Sequence, residues 1–208
     1  MGKFVIYGSG GQAKEILDAL TKNDQQVLCF VDDNKFDGMI YDVSIHHISQ
    51  ISINSNQLVV AIGDNNTRKK IVHSNTTATF ATVIHPEASV GTQTIIGIGT
   101  QILQKAAISS SVQIGTHVIV NVGAAITHDV TVGDFSHIAV NASICGGAHI
   151  GEGVFIGASA VVLPNIKIGN WSVIGAGTVV LEDVPAGAVV VGNPGRIIKY
   201  KTFEETFI

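Results

Sequence analysis

The residues that most restrict how this chain can fold recur every sixth place. From Ile84 onward each sixth position is Ile or Val without exception, through Ile96, Ile114, Val132, Ile150 and Ile168 to Val180. Four places after each stands a small or β-branched residue, among them Ala88, Thr100, Ala124, Ala142, Ala160 and Thr178. Seventeen hexads between Ile84 and Pro185 hold this register with no insertion, and self-similarity at a fixed period marks a repeat architecture. A helix repeats its apolar residues near every 3.6 places and a strand every two, so neither gives one branched residue in six. A triangular prism does. Each hexad becomes one short strand and one corner, and three hexads close a coil. The branched residue points inward, and the small one fits where the interior narrows. Gly91, Gly97, Gly115 and Gly133 follow large residues where corners are expected. Residues three hexads apart then stack at the strand spacing, roughly 4.8 Å, so neighbours can be read from the numbering.

The prism also explains a composition of 46% hydrophobic and only 13% charged residues with 23 glycines in 208. A net charge of −4 gives no basic footprint, which argues against nucleic acid as a partner. Two cysteines, Cys29 and Cys145, make no disulfide framework and suit a reducing compartment. No apolar run reaches the length that spans a bilayer, and no signal peptide is recognisable, so the expectation is a cytoplasmic protein without membrane association.

Before the repeat, Phe4 to Tyr7 reads as a strand that enters Gly8-Ser9-Gly10-Gly11-Gln12, and Ala13, Ile16, Leu17 and Leu20 then follow at helical spacing. A second strand, Val27 to Val31, ends in Asp32-Asp33. This order of strand, glycine turn, helix and acid-tipped strand is that of a nucleotide-binding α/β unit. The glycines let backbone approach a phosphate at a helix N-terminus, and the acids can accept from ribose hydroxyls. Leu58 to Ile62 reads as a buried parallel strand, with Gly63-Asp64-Asn65-Asn66 capping a helix that carries Arg68, Lys69 and Lys70. The fold class expected is α/β plus β: a Rossmann-like βαβ half-domain over residues 1–83, then a hexapeptide-repeat parallel β-helix over 84–208. Half a dinucleotide fold suits a mononucleotide-sized ligand better than NAD. His46 and His47 are expected in a solvated loop, His117 and His149 at the surface.

Within the repeat, His128 and Asp129 take the third and fourth places of their hexad, on an outward corner. One coil further lie Gly146 and Gly147. A base beside residues without side chains is what acyl transfer requires, since an unobstructed N–H can approach a thioester oxygen. Hexapeptide β-helices of the metal-dependent carbonic anhydrase type gather three histidines, two of them five apart; no such pair occurs among the histidines of this repeat, so no metal is expected. Cys145 is expected to pack rather than react.

The glycine turn with Asp32-Asp33, the Ile62-Gly63-Asp64-Asn65 turn and the unbroken hexads resemble the NeuD/PglD-type sugar acetyltransferases over nearly the whole chain. The resemblance implies a left-handed β-helix, a homotrimer with sites between subunits, and acetyl-CoA as co-substrate. It implies an acceptor that is the amine of a nucleotide-linked 4-amino-4,6-dideoxy sugar, the nucleotide being UDP, dTDP or GDP. His128 becomes the general base, Asp129 its orienting acid, and the Gly146 amide the group that meets the acetyl carbonyl. His137, Gly147, Ala158, Ala176 and Pro194 become coenzyme contacts. Gly8, Gly10, Gly11, Gln12, Asp32, Asp33, Asp64 and Asn65 become nucleotide-sugar contacts. Two positions depart from the pattern: Gln12 stands where many relatives have His, and Gly195 where Ala is usual. Two other readings stay open at this point, O-acetylation of sialic acid or another sugar, and a non-catalytic trimeric binding module.

Overall fold

The computed structural model describes residues 3–35, 37–53 and 56–201. Its first unit is a sheet of six strands, β1 (Phe4–Tyr7), β2 (Val27–Asp32), β3 (Gly38–Ile40), β4 (Val43–His47), β5 (Gln57–Val60) and β6 (Thr79–Phe80), in the order β3-β4-β2-β1-β5-β6. All neighbours run parallel except β3 and β4, which form a hairpin. Helix α1 (Gly11–Lys22) buries Ala13, Ile16, Leu17, Ala19 and Leu20. They pack with Phe4, Ile6, Phe30 and Val59 on one face of the sheet. Helix α2 (Asn65–Ser74) sends Val72 to the other face, against Val5, Tyr7, Val31 and Val60. The chain reverses its winding between β1 and β5, which opens a crevice at their C-terminal ends. Gly8 lies there with φ +108, and a Cβ on it would meet the Ile62 side chain at 2.7 Å and the Ala61 carbonyl at 2.9 Å. His46 and His47 lie in β4, paired with Val31 and Asp32, because β2 offers an open parallel edge; the expected loop is a strand.

The second unit is the left-handed parallel β-helix, three sheets of short strands whose partners lie 18 residues apart, as in Gln101↔Ile119 and Ala125↔Ser143. The first-place residues from Ile102 to Ile174 are buried. Each fully buried Ile or Val is worth about 1.5–3 kcal/mol of transfer free energy. Hydroxyls at the narrow fifth place are mostly satisfied inside the wall: Thr100 donates to Gly115 O at 2.8 Å and Ser136 to Gly151 O at 2.7 Å, whereas the buried Thr178 hydroxyl has no partner. The register breaks once, near the end. Ile168 pairs with Val184 and Ile174 with Val190, 16 residues on rather than 18. The last coil is thus two residues short, and Val184 fills a first-place interior site instead of the fifth place that the hexad count gives it. Strand Ala188–Val191 then turns through Asn193-Pro194 into the antiparallel strand Arg196–Tyr200. Among the described residues no helix is long and apolar enough to cross a membrane.

The two units are locked together. Arg68 of α2 is completely buried and reaches no carboxylate there. Its guanidinium donates to backbone carbonyls of both units: Nε to His117 O at 2.9 Å, Nη1 to Ile62 O at 2.8 Å, Nη2 to Phe135 O at 2.7 Å. Nη2 also donates to Asn65 Oδ1 at 2.9 Å. Burial pulls its pKa down to about 10, against the opposing charge of Asp64. His117, expected at the surface, is 4% exposed. It stacks on Phe135 at 5.3 Å and meets the edge of Phe80 at 4.8 Å, since the docked α/β unit covers its corner.

Burial, reinforced by the Arg68 charge, lowers His117 to about 4, and burial likewise lowers His137 to about 4. The unfolded chain binds these protons below about pH 6.5 and the folded chain only near 4. Their contribution is therefore complete above pH 6.5 and is lost as pH falls toward 4, on the order of a few kcal/mol for the two. Urea unfolding between pH 7.5 and 4.5 should show that decline, and His117→Phe should flatten it by about half.

Candidate active site

Most of the sequence-derived candidates fall into three places. The first is the crevice above β1, a cavity of about 350 Å³ that includes Gly10, Gly11, Lys14 and Lys35. Gly10 caps α1 without a side-chain hydrogen bond, so the first-turn N–H groups face the crevice without a side-chain cap. Both acids at the tip of β2 already have partners. Asp32 accepts from the Ser9 hydroxyl at 2.7 Å and from the N–H groups of Asn34 and Lys35. Burial raises its pKa, but these bonds outweigh it and hold the carboxyl below its ordinary value. Asp33 accepts from the Tyr7 hydroxyl at 2.8 Å. Burial, and then that bond, push the Tyr7 hydroxyl well up. A carboxylate has about four acceptor positions; Asp32 fills them with the Ser9 hydroxyl and the N–H groups of Ser9, Asn34 and Lys35, whereas Asp33 retains room for a ligand hydroxyl. Gln12 points elsewhere: its Nε2 donates to Gln101 Oε1 at 2.9 Å, and Gln101 donates to Val60 O.

The second place is a cleft of about 330 Å³ between the units, lined by Gly63, Asp64, Asn65, His137, Phe155 and Trp171 among others. Asp64 and Asn65 therefore line a different cavity from the glycine turn. Asp64 caps α2, accepting from Thr67 N at 2.8 Å. Asn65 donates to Gly153 O and Val154 O. His137 has both ring nitrogens engaged, Nδ1 with Gly63 O and Nε2 with Asn121 Nδ2, each at 3.1 Å.

The third place is the His128 corner, between the second and third sheets of the prism. His128 Nδ1 lies 2.8 Å from Asp129 Oδ2, and both side chains are about two-thirds exposed, 66% and 67%. With Nδ1–H donated to the carboxylate, Nε2 is the free acceptor. The ring lies over Gly146, where a Cβ would stand 2.6 Å from its Cε1 and 2.8 Å from Nε2. Only glycine leaves room for it. The backbone of these corners supplies the other requirement. The second- and fourth-place neighbours have their N–H groups in the ladder, for example Cys145 N to Val162 O at 3.0 Å and Gly147 N to His128 O at 3.1 Å. The third-place N–H points out of the turn, and none of those in the described prism donates to backbone. Two are met by a side chain one coil on, Thr116 by Asp134 and Glu152 by Asn170. Above Gly146 stands Pro164, which brings no such acceptor over it. A histidine nitrogen and an unobstructed N–H thus share one exposed edge.

Ala158 and Ala176 occupy the corner between the first and second sheets, stacked by Gly177 N to Ala158 O at 2.8 Å, and Pro194 lies in the turn beside Val179. The docked α/β unit contacts the first sheet and the corner that leads into it, through Gln101, His117, Phe135, His137 and Val154. The His128 corner lies opposite that face. Within one chain, then, neither cavity of the α/β unit meets His128. No cluster of three His, Cys, Asp or Glu that could hold a metal occurs among the described residues.

A prism with a histidine and an unpaired amide on one edge, carrying a nucleotide-type α/β unit on another, defines a hexapeptide-repeat acyltransferase. Residues 3–74 match the model of the PglD N-terminal domain, and residues 147–182 that of the bacterial transferase hexapeptide, six repeats. The acetyltransferase domain of PglB from Neisseria gonorrhoeae superposes with a TM-score of 0.90 at 28% identity, covering 95% of this chain and 100% of that one. PerB from Caulobacter crescentus, solved with CoA and GDP-perosamine, superposes with a TM-score of 0.89 at 30% identity, covering 96% and 98%. Comparison with curated protein sequences gives no match. The chain belongs to the NeuD/PglD-type family of sugar acetyltransferases.

Proposed function

We propose that this protein transfers the acetyl group of acetyl-CoA to the amine of a nucleotide-linked 4-amino-4,6-dideoxy sugar, at sites completed between the subunits of a homotrimer. The observation that carries the reading is the His128 corner: a ring nitrogen free to accept a proton, held by Asp129 over the side-chain-free Gly146. The relatives supply the substrate class, since PerB binds CoA and GDP-perosamine and the PglB domain binds acetyl-CoA. His128 Nε2 takes the proton as the neutral amine adds to the thioester carbon. The Gly146 N–H receives the oxyanion, and Asp129 stabilises the imidazolium until the departing thiolate is protonated. No acyl-enzyme forms, so Cys145 is not required.

The placement of the parts supports assembly, and the homotrimer is the form that the resemblance implies. The acceptor unit and His128 sit on opposed sides of one prism, so the acceptor amine reaches the His128 of a neighbouring subunit. Subunit mixing tests this directly. His128→Ala and Asp32→Ala proteins, each impaired alone, should recover about a quarter of wild-type activity when unfolded together and reassembled at equal amounts, because one interface in four then pairs two intact halves. No recovery in mixed trimers would place both halves of the site on one chain.

A further inference from the structure

The crevice above β1 is walled by more than its glycine turn. Lys14 comes from α1, Lys35 from the loop after β2, and Met39 and Tyr41 from the β3–β4 hairpin. Asp32 is what draws the Lys35 loop in, since it bonds the Ser9 hydroxyl and the Lys35 N–H together, at 2.7 Å and 3.2 Å. Two lysines thus border one cavity, and the adjacent Asp32 carboxylate is already engaged by Ser9, Asn34 and Lys35. Such a mouth favours an anion with more than one charge.

Tyr41 adds an independent clue. It begins the two-residue turn between Ile40 and Val43 and takes φ +51, a conformation that hairpin turns ordinarily give to Gly, Asn or Asp. A bulky side chain there is strained, and strain that persists in a cavity wall points to use. The ring is also 74% exposed, and Met39 beside it 64%. Neither is retained for packing in the core.

We propose that the acceptor's nucleoside diphosphate is held here by residues outside the glycine turn: its phosphates by the Lys14 and Lys35 amines, and its base by the Tyr41 ring with Met39 alongside. This rests on the reading of the acceptor as a nucleotide sugar, and it assigns the recognition of base and phosphate to separate side chains. An aromatic platform binds any base through its π-face, while the two amines count charge.

Calorimetric titration of the assembled wild-type protein with UDP, GDP, dTDP, uridine and inorganic pyrophosphate tests the assignment. Lys14→Ala and Lys35→Ala should each weaken the tightest-binding diphosphate roughly tenfold and leave uridine unchanged. Tyr41→Asn should weaken the same nucleotide roughly tenfold and leave pyrophosphate unchanged. Because Asn suits the turn, the Tyr41→Asn melting temperature should hold or rise, which separates lost binding from lost folding. Tyr41→Phe should retain affinity. Wild-type affinity in Tyr41→Asn and in both lysine variants would overturn the inference while leaving the acceptor reading intact. Wild-type protein that binds none of the three diphosphates would instead overturn the acceptor reading itself.

Discussion

His128→Ala should lower kcat by about 100- to 10,000-fold, the usual loss when a general base is removed. The affinities for acetyl-CoA and for the nucleotide should change little. The ring is about two-thirds exposed and its one side-chain hydrogen bond is to its own neighbour, Asp129, so its removal costs the prism almost nothing. Asp129→Asn should reduce kcat less, because an amide still holds the ring but no longer stabilises its cation. Cys145→Ser should stay active. Steady-state kinetics on trimeric protein, with coenzyme affinity measured in parallel, checks all three. Near-wild-type turnover in His128→Ala would place the base elsewhere.

Arg68→Met should destabilise the protein by about 3–5 kcal/mol. The side chain is fully buried, and its donors satisfy the carbonyls of Ile62, His117 and Phe135 as well as Asn65. Met matches much of the volume but leaves those acceptors without a donor, at about 1–3 kcal/mol for each buried group. Arg68→Lys should be nearly as damaging, because an ammonium cannot reproduce the planar fork that spans both units. Equilibrium unfolding in urea measures the loss. A loss below about 1 kcal/mol for Arg68→Met would mean that the two units are held chiefly by their apolar contacts.

The prism is legible because period six admits few other solutions, and the 18-residue stacking rule by itself puts His128 one coil from Gly146. The shortened last coil was not, since Val184 satisfies a fifth-place pattern as readily as the interior position that it fills. Arg68 stands beside Lys69 and Lys70 on the expected helix, and no local motif assigns it a buried role. Its burial depends on carbonyls 49 and 67 residues away, although its spacing from Asn65 and Val72 marks the packed face of α2. His117 lies on an outward corner by hexad phase, and only docking of the α/β unit covers it. Asp64 and Asn65 sit at a strand end like Asp32, yet reversed winding sends the two turns to separate cavities. Local pattern fixes elements and phase; which corner is covered is decided by packing between units far apart in the chain.

The central claim is acetyl transfer to an amine, and coenzyme thiol release measures it most directly. Wild-type protein should be assayed with acetyl-CoA against UDP-, dTDP- and GDP-linked 4-amino-4,6-dideoxy sugars, each beside its 4-hydroxy counterpart. The account predicts thiol release matched one for one by N-acetylated product with at least one amine, and none with the corresponding alcohol. Turnover with the alcohols alone, or none across the panel by protein that binds the coenzyme, would contradict it.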